Sequence, residues 1–259
     1  MPLLVDSHVH IYGHYNVSRF LDAAHSNMGQ VADARPVLML TETAQDDAFT
    51  QIANERRSTP GWRVERLPED SAAVLMHPKV GEPILLVAGR QIITAEKLEI
   101  LALATTGQFA DGVPAEEVLN KLIAAEVPAV MPWGVGKWIG ARGALVSRLL
   151  EQFGAQPGIM LGDIAGRPMG WPRPKQFQKS AAMGVPILMG SDPLPIPDAE
   201  AAVGRYGVHL DATLSDTTPA ADLRAALLAL RGQPQIFGKR CGPISMLKDQ
   251  VALRTQRQN

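Results

Sequence analysis

The chain has 259 residues, of which 46% are hydrophobic and 20% charged, with a formal net charge of −1. This length and composition suffice for a large core, and we expect one α/β domain over residues 1–259. Because the charge is near zero and no basic block occurs, the sequence argues against nucleic acid or an anionic membrane as the main partner and favours a small-molecule substrate.

Three further features concern the compartment. No apolar run reaches the length that a transmembrane helix needs, and the start of the chain lacks the basic region of a signal sequence. The single cysteine, Cys241, cannot form an internal disulfide, which fits a reducing environment. The sequence therefore predicts a cytoplasmic protein.

The first predicted element is an apolar strand that leads into His8 and His10. Side chains two apart on a strand point the same way, so the two histidines should leave the end of this strand side by side. Their Cα atoms would lie about 6.6 Å apart at ~3.3 Å per residue, which allows both imidazoles to reach one cation. An isolated H-x-H can also be a polar strand end whose histidines bond backbone carbonyls.

Along the rest of the chain, apolar runs alternate with amphipathic helical patterns, as in βα units around a parallel sheet. Strands are predicted at 3–7, 36–40, 127–131, 158–163 and 186–192, and helices at 17–25, 44–57, 114–125, 175–183 and 219–230. Between 62 and 104 the runs are shorter, which predicts antiparallel hairpins inserted into a barrel. The tail at 248–259 is polar and is expected to fray.

In such barrels the chemistry lies where strands end. Asp192 follows an apolar strand, so its carboxylate should face the first strand across the ring. Taken alone, Asp192 is equally well a helix cap or a turn residue, but with His8 and His10 it suggests a metal ligand. Asp163 either pairs with Arg167 as a structural ion pair or lines the pocket, and we favour the pocket.

A glycine-rich loop at 131–143 follows the predicted strand 127–131. Its open backbone, the cations Lys137 and Arg142, and the rings of Trp133 and Trp138 suit an anionic or sugar-like group. Alternatively, the tryptophans pack as a lid on the barrel and the cations are simply solvated.

Three motifs in order, DSHVH, then GRQIIT with LEILAL, then GSDPL with VGRYG, resemble those of the polymerase and histidinol phosphatase (PHP) family of metal-dependent phosphoesterases. The resemblance implies an α/β fold, a distorted TIM-like (β/α)7 barrel, here with an inserted β-rich middle segment at 62–104. It also implies up to three metal ions, commonly zinc, manganese or iron. The amidohydrolase superfamily shares the opening H-x-H and the late aspartate, but its usual lysine and two further histidines cannot be placed.

Compared with the PHP motifs position by position, this chain retains three of the metal ligands that the resemblance implies, namely His8, His10 and Asp192. The positions of the other ligands are occupied by Thr43, Gln91, Glu99, Met131 and Leu194. Methionine, leucine and a neutral amide are poor ligands for hard cations, so a three-metal cluster is not expected. One zinc, manganese or iron ion can still be held, with an open position for water.

The sequence therefore predicts a metal-dependent, phosphoesterase-like hydrolase with a one-metal site and an anionic small-molecule substrate. The predicted site consists of His8, His10 and Asp192 as metal ligands, Glu99 and Asp192 as catalytic groups, and Lys137, Arg142 and Asp163 as substrate contacts. The alternative is a non-catalytic PHP-like barrel that binds a ligand or a partner protein. The lost ligands favour this alternative, whereas the retained trio favours catalysis.

Overall fold

The structure is a computed structural model that describes residues 2–29, 34–79 and 81–256. The strands are β1 (Leu3–Val9), β2 (Arg35–Leu40), β3 (Arg63–Arg66), β4 (Ala72–Met76), β5 (Ile84–Val87), β6 (Gly89–Ile93), β7 (Glu99–Leu103), β8 (Ala129–Pro132), β9 (Ile159–Ile164), β10 (Ile187–Gly190), β11 (Tyr206–Leu210) and β12 (Ile236–Gly238). The helices are α1 (Val17–Met28), α2 (Ala48–Ala53), α3 (Ala115–Ala124), α4 (Ala141–Phe153), α5 (Lys175–Ala182), α6 (Pro219–Ala229) and α7 (Pro243–Gln256), with a 3-10 turn at Ala199–Ala202. Among these described helices, none has the length and apolarity that a membrane crossing requires.

The strands form two mixed sheets. Strand order is β12-β11-β1-β2-β5-β4-β3 in the seven-stranded sheet and β10-β9-β8-β7-β6 in the five-stranded sheet. Neither sheet closes on itself, so the predicted distorted TIM-like (β/α)7 barrel is wrong. The physical reason is that β5, β6 and β7 follow one another without a helix between them, so β6 and β7 pair antiparallel. Strand β8 also pairs antiparallel with β7, although helix α3 lies between them in the chain. A (β/α) barrel needs a helical crossover after each strand.

The middle segment 62–104 is rich in strands, but it is not an insertion. Its strand β5 pairs in parallel with β2, with Leu85 opposite Val37, whereas β7 pairs with β8, with Leu101 opposite Val130. Only Ala88 separates β5 from β6, so the chain passes there from the larger sheet into the smaller one. The segment therefore contributes strands to both sheets.

Strand β1 is apolar over Leu3–Val5, where both of its faces are buried. Leu3 and Val5 contribute to one hydrophobic cluster, which also contains side chains of the smaller sheet, and Leu4 contributes to a second cluster, which contains helix α1. Alternate side chains of a strand point to opposite faces, so this arrangement follows directly from the period of two. A strand buried on both faces reads as a continuous apolar run.

Helix α1 closes the second cluster. It begins at Val17 because the side chain of Asn16 accepts the backbone N–H of Arg19 at 3.1 Å. Its buried residues recur three and four positions apart and form one face, as the sequence predicts, and they are Val17, Phe20, Leu21, Ala24 and Met28. Elsewhere the predicted helix 44–57 is reduced to Ala48–Ala53. The polar tail is helical as far as Gln256, and residues 257–259 lie outside the described residues.

The two sheets meet at the C-terminal ends of β1 and β10. A Cβ atom on Gly190 would lie 2.4 Å from Cβ of His8, so only glycine permits this approach. The backbone N–H of Asp192 donates to the carbonyl of His8 at 2.8 Å. This junction brings the start of the chain beside residue 192.

Candidate metal centre

His8, His10 and Asp192 converge where the two sheets meet. His8 belongs to β1, His10 follows it, and both side chains are buried. Their Nε2 atoms lie 3.1 Å apart, and Oδ1 of Asp192 lies 3.6 Å from Nε2 of His8 and 3.7 Å from Nε2 of His10. The structure thus places the three predicted metal ligands in one group that could hold a metal ion.

The separations of these three atoms match a shared cation. With metal–ligand bonds of about 2.1 Å and tetrahedral angles, two ligand atoms lie about 3.4 Å apart. The observed separations of 3.1, 3.6 and 3.7 Å lie on either side of that value. Two imidazole nitrogens and one carboxylate oxygen form a donor set that suits zinc and its transition-metal neighbours better than magnesium or calcium.

Both histidines are neutral at pH 7. Burial lowers the pKa of His8 to about 4, an effect that the negative charge of Glu99 opposes and the positive charge of Lys137 reinforces. Burial, reinforced by His8, also lowers the pKa of His10 to about 4, against the negative charge of Asp192. Neutral imidazole is the form that binds metal, so metal binding at this site need not displace a proton from either ring.

The second ring nitrogens depart from the usual pattern. Within the described part of the chain, Nδ1 of His8 and Nδ1 of His10 are buried without a hydrogen-bond partner. Metal-binding histidines commonly direct this nitrogen to a carboxylate or a carbonyl. Packing fixes the rings instead. The ring of Tyr12 stacks on that of His10 with 5.6 Å between the ring centroids, and the backbone of Gly190 lies against His8.

Asp6 joins the segments that carry the ligands. Its fully buried carboxylate accepts the backbone N–H of Ser191 at 2.8 Å, of Gly204 at 2.8 Å and of His8 at 3.3 Å. Burial raises the pKa of Asp6 to about 7, although these amides oppose the rise. Asp6 was not among the site residues predicted from the sequence. The available signal was its place in D-x-H-x-H, which puts it on the same strand face as both histidines.

Glu99 and Lys137 form an ion pair beside the histidines. Both carboxylate oxygens of Glu99, the first residue of β7, lie 2.5 Å from Nζ of Lys137. The charges of both residues act on His8, yet Glu99 is not a member of the three-residue group. The structure therefore brings both residues to the centre, paired with each other.

The two other predicted substrate contacts are engaged elsewhere. The guanidinium of Arg142 is exposed and donates to the carbonyl of Gly136 at 3.1 Å. Asp163 is buried and accepts two hydrogen bonds from Arg167, at 2.7 and 2.6 Å, with the Tyr206 hydroxyl at 3.4 Å. The structural ion pair considered as an alternative for Asp163 is thus present.

The positions that differ from the PHP pattern have structural contacts. Met131 is fully buried in β8, and the carbonyl of Leu194 accepts the hydroxyl of Tyr15. The side chain of Gln91 lies beside His8. Among the described residues, His8, His10 and Asp192 form the one group whose ligand atoms approach closely enough for a metal ion. This geometry is consistent with a reduced site.

Comparison with known proteins gives a fold but no family. No family model matches the chain, and no curated protein does. The fold is similar to that of PsfC from Pseudomonas syringae PB-5123, with a TM-score of 0.62 and 16% identity over 98% of this chain and 99% of that one. These features support a PHP-like fold.

A second similar structure is the lesion-specific endonuclease PfuEndoQ from Pyrococcus furiosus. Its TM-score is 0.52 and its identity 10%, over 90% of this chain and 57% of that one, so this chain spans little more than half of the endonuclease. An endonuclease acts on nucleic acid, and the prediction that excludes nucleic acid as a partner is therefore wrong. The physical error was to argue from net charge, which says nothing about where individual cations lie on the surface.

Proposed function

We propose that this protein is a metal-dependent phosphoester hydrolase whose single metal ion is bound by His8, His10 and Asp192. The observation that carries the proposal is the convergence of two buried, neutral imidazoles and one carboxylate within bonding range of one cation. Zinc, manganese and iron are the ions that this donor set fits. The fold shared with a lesion-specific endonuclease gives independent support for phosphoester chemistry.

The chemistry follows from the ligand set. A bound ion of this kind would lower the pKa of a coordinated water towards ~7 and polarise a phosphoryl oxygen. Three protein ligands leave coordination positions for water and substrate. Because the site is buried between two sheets, charges around it act through a less polar medium than water, which strengthens their effect on a substrate.

Glu99 and Lys137 would act as a pair on the substrate. The ammonium group of Lys137 has three N–H donors, and the two oxygens of Glu99 engage two of them. The third donor is available to an anionic oxygen of the substrate. Lys137 in turn orients the carboxylate of Glu99, which can accept a proton from the attacking water.

The test starts from metal content. Protein purified without chelator should contain zinc, manganese or iron by elemental analysis, and its melting temperature should fall after chelation, because a ligand that binds only the folded state stabilises it. His8→Ala and His10→Ala should abolish this shift together with hydrolysis of bis(p-nitrophenyl) phosphate or p-nitrophenyl phosphate. His25→Ala is the matched control, because His25 lies outside the three-residue group.

A non-catalytic protein of the same fold is the second candidate. This candidate is favoured because side chains that pack structurally occupy positions where the PHP pattern implies ligands. Met131, which is buried in β8, is an example. This candidate would be established, and the hydrolase ruled out, if wild-type protein contained no metal and had the same melting temperature with and without added zinc, manganese and iron.

A further inference from the structure

An aromatic groove lies next to the candidate metal centre. It has a volume of about 450 Å³ and lies between the loop 133–140, which joins β8 to α4, and the segment 171–176, which leads into α5. Three of the four tryptophans of the chain, Trp133, Trp138 and Trp171, line it. We call this feature the tryptophan groove.

The tryptophan groove and the metal centre share the loop 133–140. Gly134 and Gly136 form part of the groove wall, and Lys137 of the same loop bonds Glu99 beside the histidines. Within the loop, the side chain of Lys137 packs against Gly134, where a Cβ atom would lie 2.5 Å from it. One side of this loop therefore faces the groove and the other faces the metal centre.

The rings in the groove leave room for a planar ligand. Trp133 and Trp171 meet edge to face, with centroids 6.1 Å apart and planes at 74°. In this arrangement the two indoles do not cover each other's faces as stacked rings would. Trp171 is 40% exposed, so part of its ring is accessible to a ligand.

The charges in the groove are all of one sign. Arg173 and Lys175 line it, and no carboxylate appears among its lining residues in the described part of the chain. The groove thus offers aromatic faces and two cations.

We propose that the tryptophan groove binds the base and the adjoining phosphate of a nucleotide, so that the phosphoester at the metal centre belongs to a nucleotide substrate. A planar ring that stacks on indole and an anion that pairs with Arg173 or Lys175 both occur in this one ligand class. Stacking tolerates any base, so little base preference is expected. Hydrolysis of the nucleotide rests on the proposed function, whereas binding of the nucleotide rests on the tryptophan groove alone.

Binding is tested on chelated protein, which separates it from catalysis. Tryptophan fluorescence and calorimetry would follow titration with AMP, TMP, ribose 5-phosphate, adenosine and a short single-stranded oligothymidylate. AMP should bind at least tenfold more tightly than ribose 5-phosphate, which lacks the base, and more tightly than adenosine, which lacks the phosphate. An oligothymidylate that binds more tightly than TMP identifies a strand as the source of the nucleotide, and equal affinities identify a free nucleotide.

Variants assign this binding to the groove. Trp171→Ala should weaken AMP binding about tenfold, and Trp171→Phe should restore much of it, because phenylalanine retains a stacking face. Ile236→Ala is the matched control, since Ile236 is 44% exposed but lies on β12. Arg173→Ala with Lys175→Ala should weaken binding of AMP and reduce its salt dependence, and Arg63→Ala on β3 should change neither.

The outcomes separate the two proposals. If AMP binding depends on Trp171, but the purified protein contains no metal and hydrolyses no phosphoester, the proposal for the groove stands and the proposed hydrolase is wrong. Equal affinity for AMP and ribose 5-phosphate, or unchanged AMP affinity in Trp171→Ala, would overturn the groove. Metal-dependent hydrolysis of p-nitrophenyl phosphate in that case would still sustain the hydrolase.

Discussion

Glu42 is a buried carboxylate that follows β2, and its contacts are structural. Its carboxylate accepts the backbone N–H of Phe49 in the first turn of α2 at 2.7 Å and lies 3.8 Å from the guanidinium of Arg90. Burial raises its pKa above the ordinary 4.5, and Arg90 only partly offsets the rise. Glu42 therefore stabilises the start of a helix while carrying a charge in a buried place.

We expect the stability of the protein to depend on Glu42 and pH together. The pKa of Glu42 is higher in the folded state than in the unfolded state, so the folded state binds a proton on this group more tightly. The contribution of Glu42 to the free energy of unfolding therefore decreases as pH rises from 4.5 through the pKa of the folded state. Glu42→Gln retains an oxygen for Phe49 but does not ionise. Urea denaturation from pH 4.5 to pH 8 should show a smaller loss of stability in this variant than in wild type. If the free energy of unfolding changed with pH equally in Glu42→Gln and wild type, the expectation would be contradicted.

A second residue, Asp6, is expected to control metal affinity without touching the metal. In Asp6→Asn one of the two oxygens becomes an N–H donor that faces a backbone donor, at a cost of about 1–3 kcal/mol of stability. Because Asp6 ties Ser191 and Gly204 to β1, the ligands should also shift. Metal titration should show affinity reduced about 10–100-fold. Asp22→Asn on α1 serves as the control, and equal metal affinity in the two variants would contradict a positioning role.

At the scale of elements, the critical contact is between the ends of β1 and β10. These two strands belong to different sheets, yet the N–H of Asp192 reaches the carbonyl of His8, and Gly190 lies against the histidine backbone. Asp192 itself has a φ of +47°, a conformation that non-glycine residues rarely adopt. The turn that presents the third ligand is therefore both tightly packed and conformationally restricted.

Gly190→Ala should disrupt the metal centre through this contact. A methyl group there would lie 2.4 Å from Cβ of His8 and 2.6 Å from its backbone nitrogen, so the strands must separate. We expect a loss of about 1–3 kcal/mol in unfolding free energy, together with weaker metal binding. Gly13→Ala is the matched control, because nothing lies within 4 Å of its added Cβ. Calorimetry and metal titration would measure both effects, and two equally stable variants with equal metal affinity would refute the argument.

For the whole molecule, the sequence predicted the grouping of His8, His10 and Asp192 better than the architecture. His8 and His10 could be predicted because the period of a strand is local, and Asp192 because a long apolar run ends just before it. The pairing of strands is not local. Nothing in the runs at 84–87 and 99–103 shows that the first pairs with β2 and the second with β8, so a closed barrel was predicted where two sheets form.

The same limit applies to the surroundings of the site. The loop 131–143 was recognised from its glycines and tryptophans. Trp171 and Arg173, however, lie in a segment that sequence reasoning treated only as a connection, and Lys175 lies at the start of the predicted helix 175–183. Their proximity to Trp133 depends on how β8 and β9 pair, with Pro132 opposite Gly162. Likewise, Lys137 was predicted to contact substrate and Glu99 to bind metal or act as a base, and only the fold shows that these two residues contact each other.

The partners of β1 bear on how the chain folds. Leu3 pairs with Leu210 on one side of this strand and with Arg35 on the other. During synthesis the first strand can therefore complete its pairing only after residue 210 has emerged, and loop closure over such a distance is slow. His8 and His10 remain without Asp192 for nearly as long. A nascent chain shorter than about 192 residues has only two of the three candidate ligands, and the proposed metal binding should therefore be one of the last steps of folding.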